Sequence, residues 1–191
     1  MDTVIVVIGG MGPMAGIECL KYITSNCETD GTDQDNLNVI LLSFPALVDS
    51  RVDFVLGHSS VNPSEAVLHF LKPQLDALQH SYKRIVIGVP CITFHCSCIF
   101  SLFRTGVSAM CPCAEVVSII SATTQFIKEH CQFIKRVGII STDGTRQAKP
   151  FAEEFSTNGI HVVYLTDEQQ SVVTDCIFNV HWYISLSYFT L

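Results

Sequence analysis

The stretch Gly88-Val89-Pro90-Cys91-Ile92-Thr93-Phe94-His95 decides how this chain is read. The apolar run over residues 84–89 predicts a buried parallel strand. Pro90 ends it, and the next residue is a cysteine. In an open α/β sheet, ligands bind outside the carboxyl ends of the strands. Cys91 is therefore a candidate nucleophile or proton carrier. A free cysteine is otherwise a small core hydrophobe, and position alone leaves both readings open.

Working outward toward the amino terminus, residues 4–8 form a continuous β-branched run, which predicts another buried strand. Gly9-Gly10-Met11-Gly12-Pro13 follows as a turn, and Pro13 suits the first turn of a helix over about 14–26. A strand, a glycine loop and a helix make a ready anion site, because unpaired amides and the helix dipole point at the loop. The spacing Gly10, Gly12, Ala15 loosely fits a dinucleotide fingerprint. That fingerprint needs an acid after the next strand, whereas the strand over 37–42 ends in Ser43-Phe44-Pro45. Residues 28–36 read as an acidic loop. The connection 45–57 carries Arg51 on the sheet edge shared by the glycine loop and Cys91. Ser64 is the expected cap of a helix over 65–80, with a kink at Pro73. His69 and His80 on that helix have no evident partner.

On the other side of the motif, Cys96, Cys98, Cys111 and Cys113 crowd near His95. C-x-C pairs do not match the C-x₂₋₄-C spacing of structural zinc sites. Buried thiols are the better reading, and no metal is expected. The strand–helix alternation restarts at Glu115, with a helix over 117–130 and a strand over 137–141. Thr142-Asp143-Gly144-Thr145 follows, then a helix over 146–158 closed by Gly159. A strand over 160–165 precedes a last helix, capped by Asp167 and reaching about residue 180. This alternation implies α/β architecture with parallel sheets. The break at Cys111-Pro112-Cys113 divides it into two Rossmann-like lobes, 1–113 and 114–191. The tail 181–191 contains no Asp, Glu, Lys or Arg and is rich in aromatics, so it reads as a strand or a poorly fitted end.

Composition narrows the function. The chain has 191 residues, 48% of them hydrophobic, which supports a sizeable core and argues against disorder. A formal net charge of -7 disfavours a nucleic-acid surface, which would need clustered Lys and Arg. No apolar run approaches a membrane span, and the opening run is too short for a signal peptide. Nine cysteines then suggest free thiols in a reducing cytoplasm.

Taken together, the segments resemble the aspartate/glutamate racemase family. Gly9-Gly10-Met11-Gly12-Pro13 is similar to its N-terminal glycine loop. Asp33-Gln34-Asp35, the second strand and Arg51 resemble its next block. Pro90-Cys91-Ile92-Thr93-Phe94-His95 resembles its Pro-Cys-Asn-Thr-x-His motif, and residues 137–145 resemble its strand followed by Thr-x-Gly-Thr. Four blocks in the right order make the combination specific. The resemblance implies α/β lobes, amino-acid racemisation without a cofactor, a small amino acid or dicarboxylate as substrate, and a homodimer. An α-proton is a very weak acid, so its removal needs a strong local base and an anion site. A thiolate serves, since helix N-termini and positive groups lower a thiol pKa from about 8.5. In the family, two cysteines face opposite sides of the α-carbon. The resemblance places Cys91 in one of those roles. It places Thr93, Thr142, Gly144, Thr145 and the loop residues Met11 and Gly12 around the substrate, with Ile92 beside them. Arg51 would pair with the side-chain carboxylate.

The departures are equally definite. Ile92 stands where the family has Asn. The Gly-Cys-Thr-Glu segment that carries the second cysteine has no counterpart, and the only late cysteine is Cys176, on a predicted helix. The resemblance stops at Val180, where His181-Trp182 breaks the pattern. Truncation, alternative splicing or a frame change is the expectation this raises, leaving the second lobe incomplete. Two other readings follow: a catalytically silent binding protein, and a related isomerase, decarboxylase or hydantoin-type racemase. Arg51 favours a substrate with an acidic side chain.

Overall fold

β1 (Thr3–Gly9) is the centre of the first lobe. It carries a β-branched run with Val4, Val6, Val7 and Ile8 at or near complete burial. In the computed structural model, which describes residues 2–180, it is flanked on both sides by parallel partners. β2 (Asn38–Ser43) pairs on one side, with Gly9 opposite Ser43. β3 (Arg84–Gly88) pairs on the other, with Val7 opposite Gly88. β4 (Ala114–Val117) completes the sheet beyond β3, in the order β2-β1-β3-β4. The first sheet therefore extends to Val117, past the division expected after residue 113. The chain leaves β1 toward β2 on one side and returns to β3 on the other. The crevice between the carboxyl ends of β1 and β3 is the switch point where open α/β sheets place ligands.

Five helices belong to this lobe or border it. α1 (Pro13–Ser25) opens on Pro13 as expected. It lies against β1 through Gly16, where a Cβ would meet the Gly9 Cα at 3.0 Å. Ala15, the third position of the loose fingerprint, is exposed instead. α2 (Arg51–Leu56) replaces the expected loop. Ser50 caps it by accepting from the Asp53 N–H, and left-handed Gly57 closes it. α3 (Pro63–Leu78) is capped by Asn62 rather than Ser64 and runs through Pro73. Ser64 is buried, and its hydroxyl donates to the Ile99 carbonyl at 2.7 Å. α4 (Ser97–Met110) follows the motif and packs on α3. α5 (Ile119–His130), capped by Ser118, leads into the second lobe.

The second lobe is smaller. β5 (Arg136–Ile139) and β6 (His161–Tyr164) form a parallel two-stranded sheet, with Val137 opposite Val162. The helix expected over 146–158 is two helices, α6 (Asp143–Ala148) and α7 (Ala152–Thr157). Lys149 breaks them at φ 48, because Pro150 disfavours helical geometry in the residue before it. α8 (Asp167–Asp175) is capped by Thr166, not Asp167, in a capping box with Gln169. A π-helical turn, Cys176–Val180, continues it. The architecture is thus α/β, with parallel sheets flanked by helices in two lobes. The tail 181–191 lies outside the described residues.

Candidate functional site

Backbone hydrogen bonds fix the central cysteine before its side chain is considered. Cys91 N–H donates to the Val89 carbonyl at 2.8 Å, which turns the chain sharply at the strand end. Its carbonyl accepts from Phe94 N–H at 3.2 Å, opening a 3₁₀ turn over Thr93–His95. The same carbonyl is 2.9 Å from His95 Nδ1. His95 Nε2 accepts from Ile119 N–H at 3.2 Å, the first amide of α5. Nε2 therefore carries the lone pair and Nδ1 the proton, so Nδ1 donates to Cys91 O. Burial holds the His95 pKa below its ordinary value, which keeps the ring neutral and the tautomer single. With both nitrogens engaged, the ring is a strut between the Cys91 turn and α5 rather than a metal ligand. Among the described residues, no group of three His, Cys, Asp or Glu is placed to hold a metal ion.

Cys91 itself is half-buried, at the edge of the first-lobe core. Its neighbour Cys96 is fully buried, and desolvation pushes that thiol up to about 12. Cys96 is therefore protonated at neutral pH and is a core group; of the four cysteines beyond the motif that read as buried thiols, Cys96 and Cys111 are buried, whereas Cys98 and Cys113 are exposed.

Three hydroxyls join the lobes. Thr93 Oγ1 lies 2.8 Å from Thr145 Oγ1 and 3.1 Å from Thr142 Oγ1. Thr142 and Thr145 are 3.3 Å apart. Thr145 is 1% exposed and Thr93 7%, so these two hydroxyls are sealed at the lobe contact. Of the three, Thr142 is the half-buried one. It caps α6, accepting from Thr145 N–H. Gly144 permits the approach: a Cβ there would meet Val52 Cα at 3.1 Å and Thr93 Cγ2 at 3.4 Å. α2 packs directly on α6 at this point.

Arg51 opens α2, one residue from that contact. Its Nη1 donates to the Asp49 carbonyl at 3.3 Å, while its buried Nε has no partner. On the glycine loop, Gly10 is left-handed at φ 93, and a Cβ would sit 3.0 Å from Phe44 N. Only glycine fits where the β1 turn lies against the β2 turn. Met11 is buried in the core at 7% exposure, and exposed Gly12 caps α1. Ile92 packs with the second-lobe core. The expected site residues thus divide. Thr93, Thr142 and Thr145 meet at one lobe contact with Gly144 against Val52 beside it, while Arg51 begins the helix that carries Val52 and Cys91 lies two residues before Thr93. Met11 and Gly12 belong to the neighbouring strand end. Cys176 is exposed on the turn after α8.

Sequence reasoning missed two supports. One is the His95 strut. The other holds the Thr142 turn from behind. Buried Gln170 donates through Nε2 to the Ser141 carbonyl at 3.0 Å and to Thr174 Oγ1 at 3.3 Å. Thr174 donates to the Asp143 carboxylate at 3.0 Å. Polar residues four apart on one helix face were the available signal. A cleft of about 540 Å³ adjoins the same turn, lined by Asp143, Arg146, Gln147, Lys149 and Tyr164. Cys91 does not line it.

This two-lobed arrangement is the aspartate/glutamate racemase fold. Aspartate racemase from Picrophilus torridus superposes with a TM-score of 0.71 at 22% identity, over 93% of this chain and 68% of that one. An aspartate racemase homologue from Pyrococcus horikoshii OT3 superposes at 0.64 with 19% identity, over 94% of this chain and 71% of that one. No family model matches the chain.

Proposed function

We propose that the chain acts on the α-carbon of a small acidic amino acid, with the Cys91 thiolate as proton carrier and no bound cofactor. The observation that carries this is the convergence at Cys91. Cys91 follows the carboxyl end of β3, beside the switch point, and the second-lobe turn is bound to Thr93, two residues away. The threonine triangle sets the spacing of the lobes. Thr142 and the Asp143 amide then face the substrate carboxylate, where an N–H at a helix start favours an anion. Arg51, at the start of α2 beside that contact, supplies the cation for the side-chain carboxylate of an aspartate-like substrate. The two similar folds named above are an aspartate racemase and an aspartate racemase homologue, which agrees with that substrate class. The protein works as a homodimer in the cytoplasm on this reading.

One thiol reaches one face of the α-carbon. The expected activity is therefore exchange of the α-proton of L-aspartate in D₂O, followed by NMR, with little inversion. Cys91→Ser should lower that exchange by roughly 10²–10⁴-fold, the usual contribution of a positioned base. Exchange that survives the substitution removes Cys91 from the reaction.

A second reading rests on Ile92, which packs into the second-lobe core and offers the substrate no polar group. A silent dicarboxylate-binding protein would keep Arg51 and the Thr142 turn without turnover. Thermal stabilisation by aspartate with no exchange selects that reading. Absence of stabilisation by any small dicarboxylate rejects it.

A further inference from the structure

We propose that Cys111 and Cys113 form a dithiol site that a low-molecular-weight disulfide oxidises to an intramolecular disulfide. Cys111 caps the end of α4 in an extended conformation, φ -148 and ψ 94. Pro112 and Cys113 are the central residues of a tight turn that folds the chain back on Cys111. The two sulfurs accordingly lie 3.3 Å apart. The backbone holds them there. Cys111 N–H donates to Val107 O at 2.9 Å, Ala114 N–H closes the turn on Cys111 O at 3.0 Å, and Cys113 O accepts from Ile85 N–H at 3.4 Å. A disulfide needs about 2.05 Å between sulfurs, so only about 1.3 Å of sulfur movement separates the pair from a bond.

The two thiols differ in access. Cys113 is exposed, whereas Cys111 is 0% exposed. Burial, and the hydrogen bond with Cys113, push the Cys111 thiol above its ordinary pKa. That asymmetry orders the chemistry. The Cys113 thiolate attacks one sulfur of oxidised glutathione, forming a mixed disulfide and releasing one glutathione thiolate. Cys111 then loses its proton and attacks the Cys113 sulfur. The Cys111–Cys113 bond forms, the second glutathione leaves as thiolate, and both protons pass to the two glutathione molecules. Two protein thiols are oxidised and one disulfide is reduced. The bond would brace the end of α4 against the start of β4. This is the amino-terminal edge of the sheet, opposite to Cys91 at the carboxyl end of β3, so the pair is separate from the proposed site.

The test uses the whole chain. It is incubated folded with oxidised glutathione, blocked with N-ethylmaleimide, digested, and the peptide carrying residues 111 and 113 is weighed. The expected peptide is lighter by two hydrogens, carries no blocking group, and regains both thiols with dithiothreitol. Cys111→Ser should trap glutathione on Cys113 as a lasting mixed disulfide. Cys113→Ser should leave Cys111 without glutathione. A wild-type peptide blocked at both cysteines, one that retains glutathione, or one cross-linked to another copy overturns the proposal. The wild-type result decides it even if a variant fails to fold.

Discussion

The two lobes are built from the same strand–helix alternation and hold themselves together differently. The first has four parallel strands and one continuous core, from Val4 through Phe94 and Phe103 to Cys111. The second has two strands and a cluster of four buried residues, Ile120, Phe151, Phe155 and Ile160. A central parallel strand is buried on both faces and needs cover on each. Among the described residues of the second lobe, Ile140 remains 73% exposed and Phe133 83%. Alternation of elements in sequence therefore specifies the class of a lobe but not how much apolar area it buries. The second lobe leans on the first through the Thr93–Thr142–Thr145 triangle and the α2–α6 contact.

The sharpest way to break this comparison is to remove one aromatic ring from each core. Phe103→Ala should cost about 3–5 kcal/mol in urea unfolding, because its site is completely enclosed. Phe155→Ala should speed amide hydrogen exchange over residues 136–164 while leaving β1 and β3 protected. Equal loss of protection in both lobes would show one cooperative unit instead. Gly144→Ala pushes a methyl group against the Val52 backbone and should destabilise the lobe contact by about 1–3 kcal/mol. A stability equal to that of the parent would mean the lobes part easily. Thr145→Val keeps the shape and deletes one hydroxyl of the triangle, leaving Thr93 short of a partner. The expected cost is about 1–2 kcal/mol in the same measurement.

The smallest effect is a pH dependence. His95 has its pKa lowered in the folded state, so between that value and the unfolded value near 6.5 only the unfolded chain takes up the proton. Its contribution is complete above the unfolded pKa and falls as the pH drops through this window, by at most about 1.4 kcal/mol per pH unit. Urea unfolding at pH 7.5 and 5.5 should show a smaller difference for His95→Gln than for the parent. An identical difference would separate His95 from the acid sensitivity.

The strand ends that carry the candidate site were legible because their signals are short. Strand, Pro90 and Cys91 lie within a few residues, and Gly10 and Thr142 each mark a strand end. Helix caps were legible only to within a residue or two. Asn62 and Thr166 cap where Ser64 and Asp167 were expected, since neighbouring polar residues compete for the same amides. The split at Lys149 was readable from Pro150, which disfavours a helical residue before it. The His95 strut was not readable, because its partner is the amide of Ile119, which any residue supplies.

The order of residues alone determined the parallel α/β class, the glycine turn, and a thiol at the mouth of a central strand. These follow from periodicity and backbone sterics acting over a few neighbours. Only the tertiary structure decided that Thr93 and Thr145 are sealed while Thr142 is half-buried, that Arg51 begins a helix, and that Cys111 and Cys113 touch. Burial depends on what the rest of the chain stacks against a residue, and Thr93 meets partners 49 and 52 positions away.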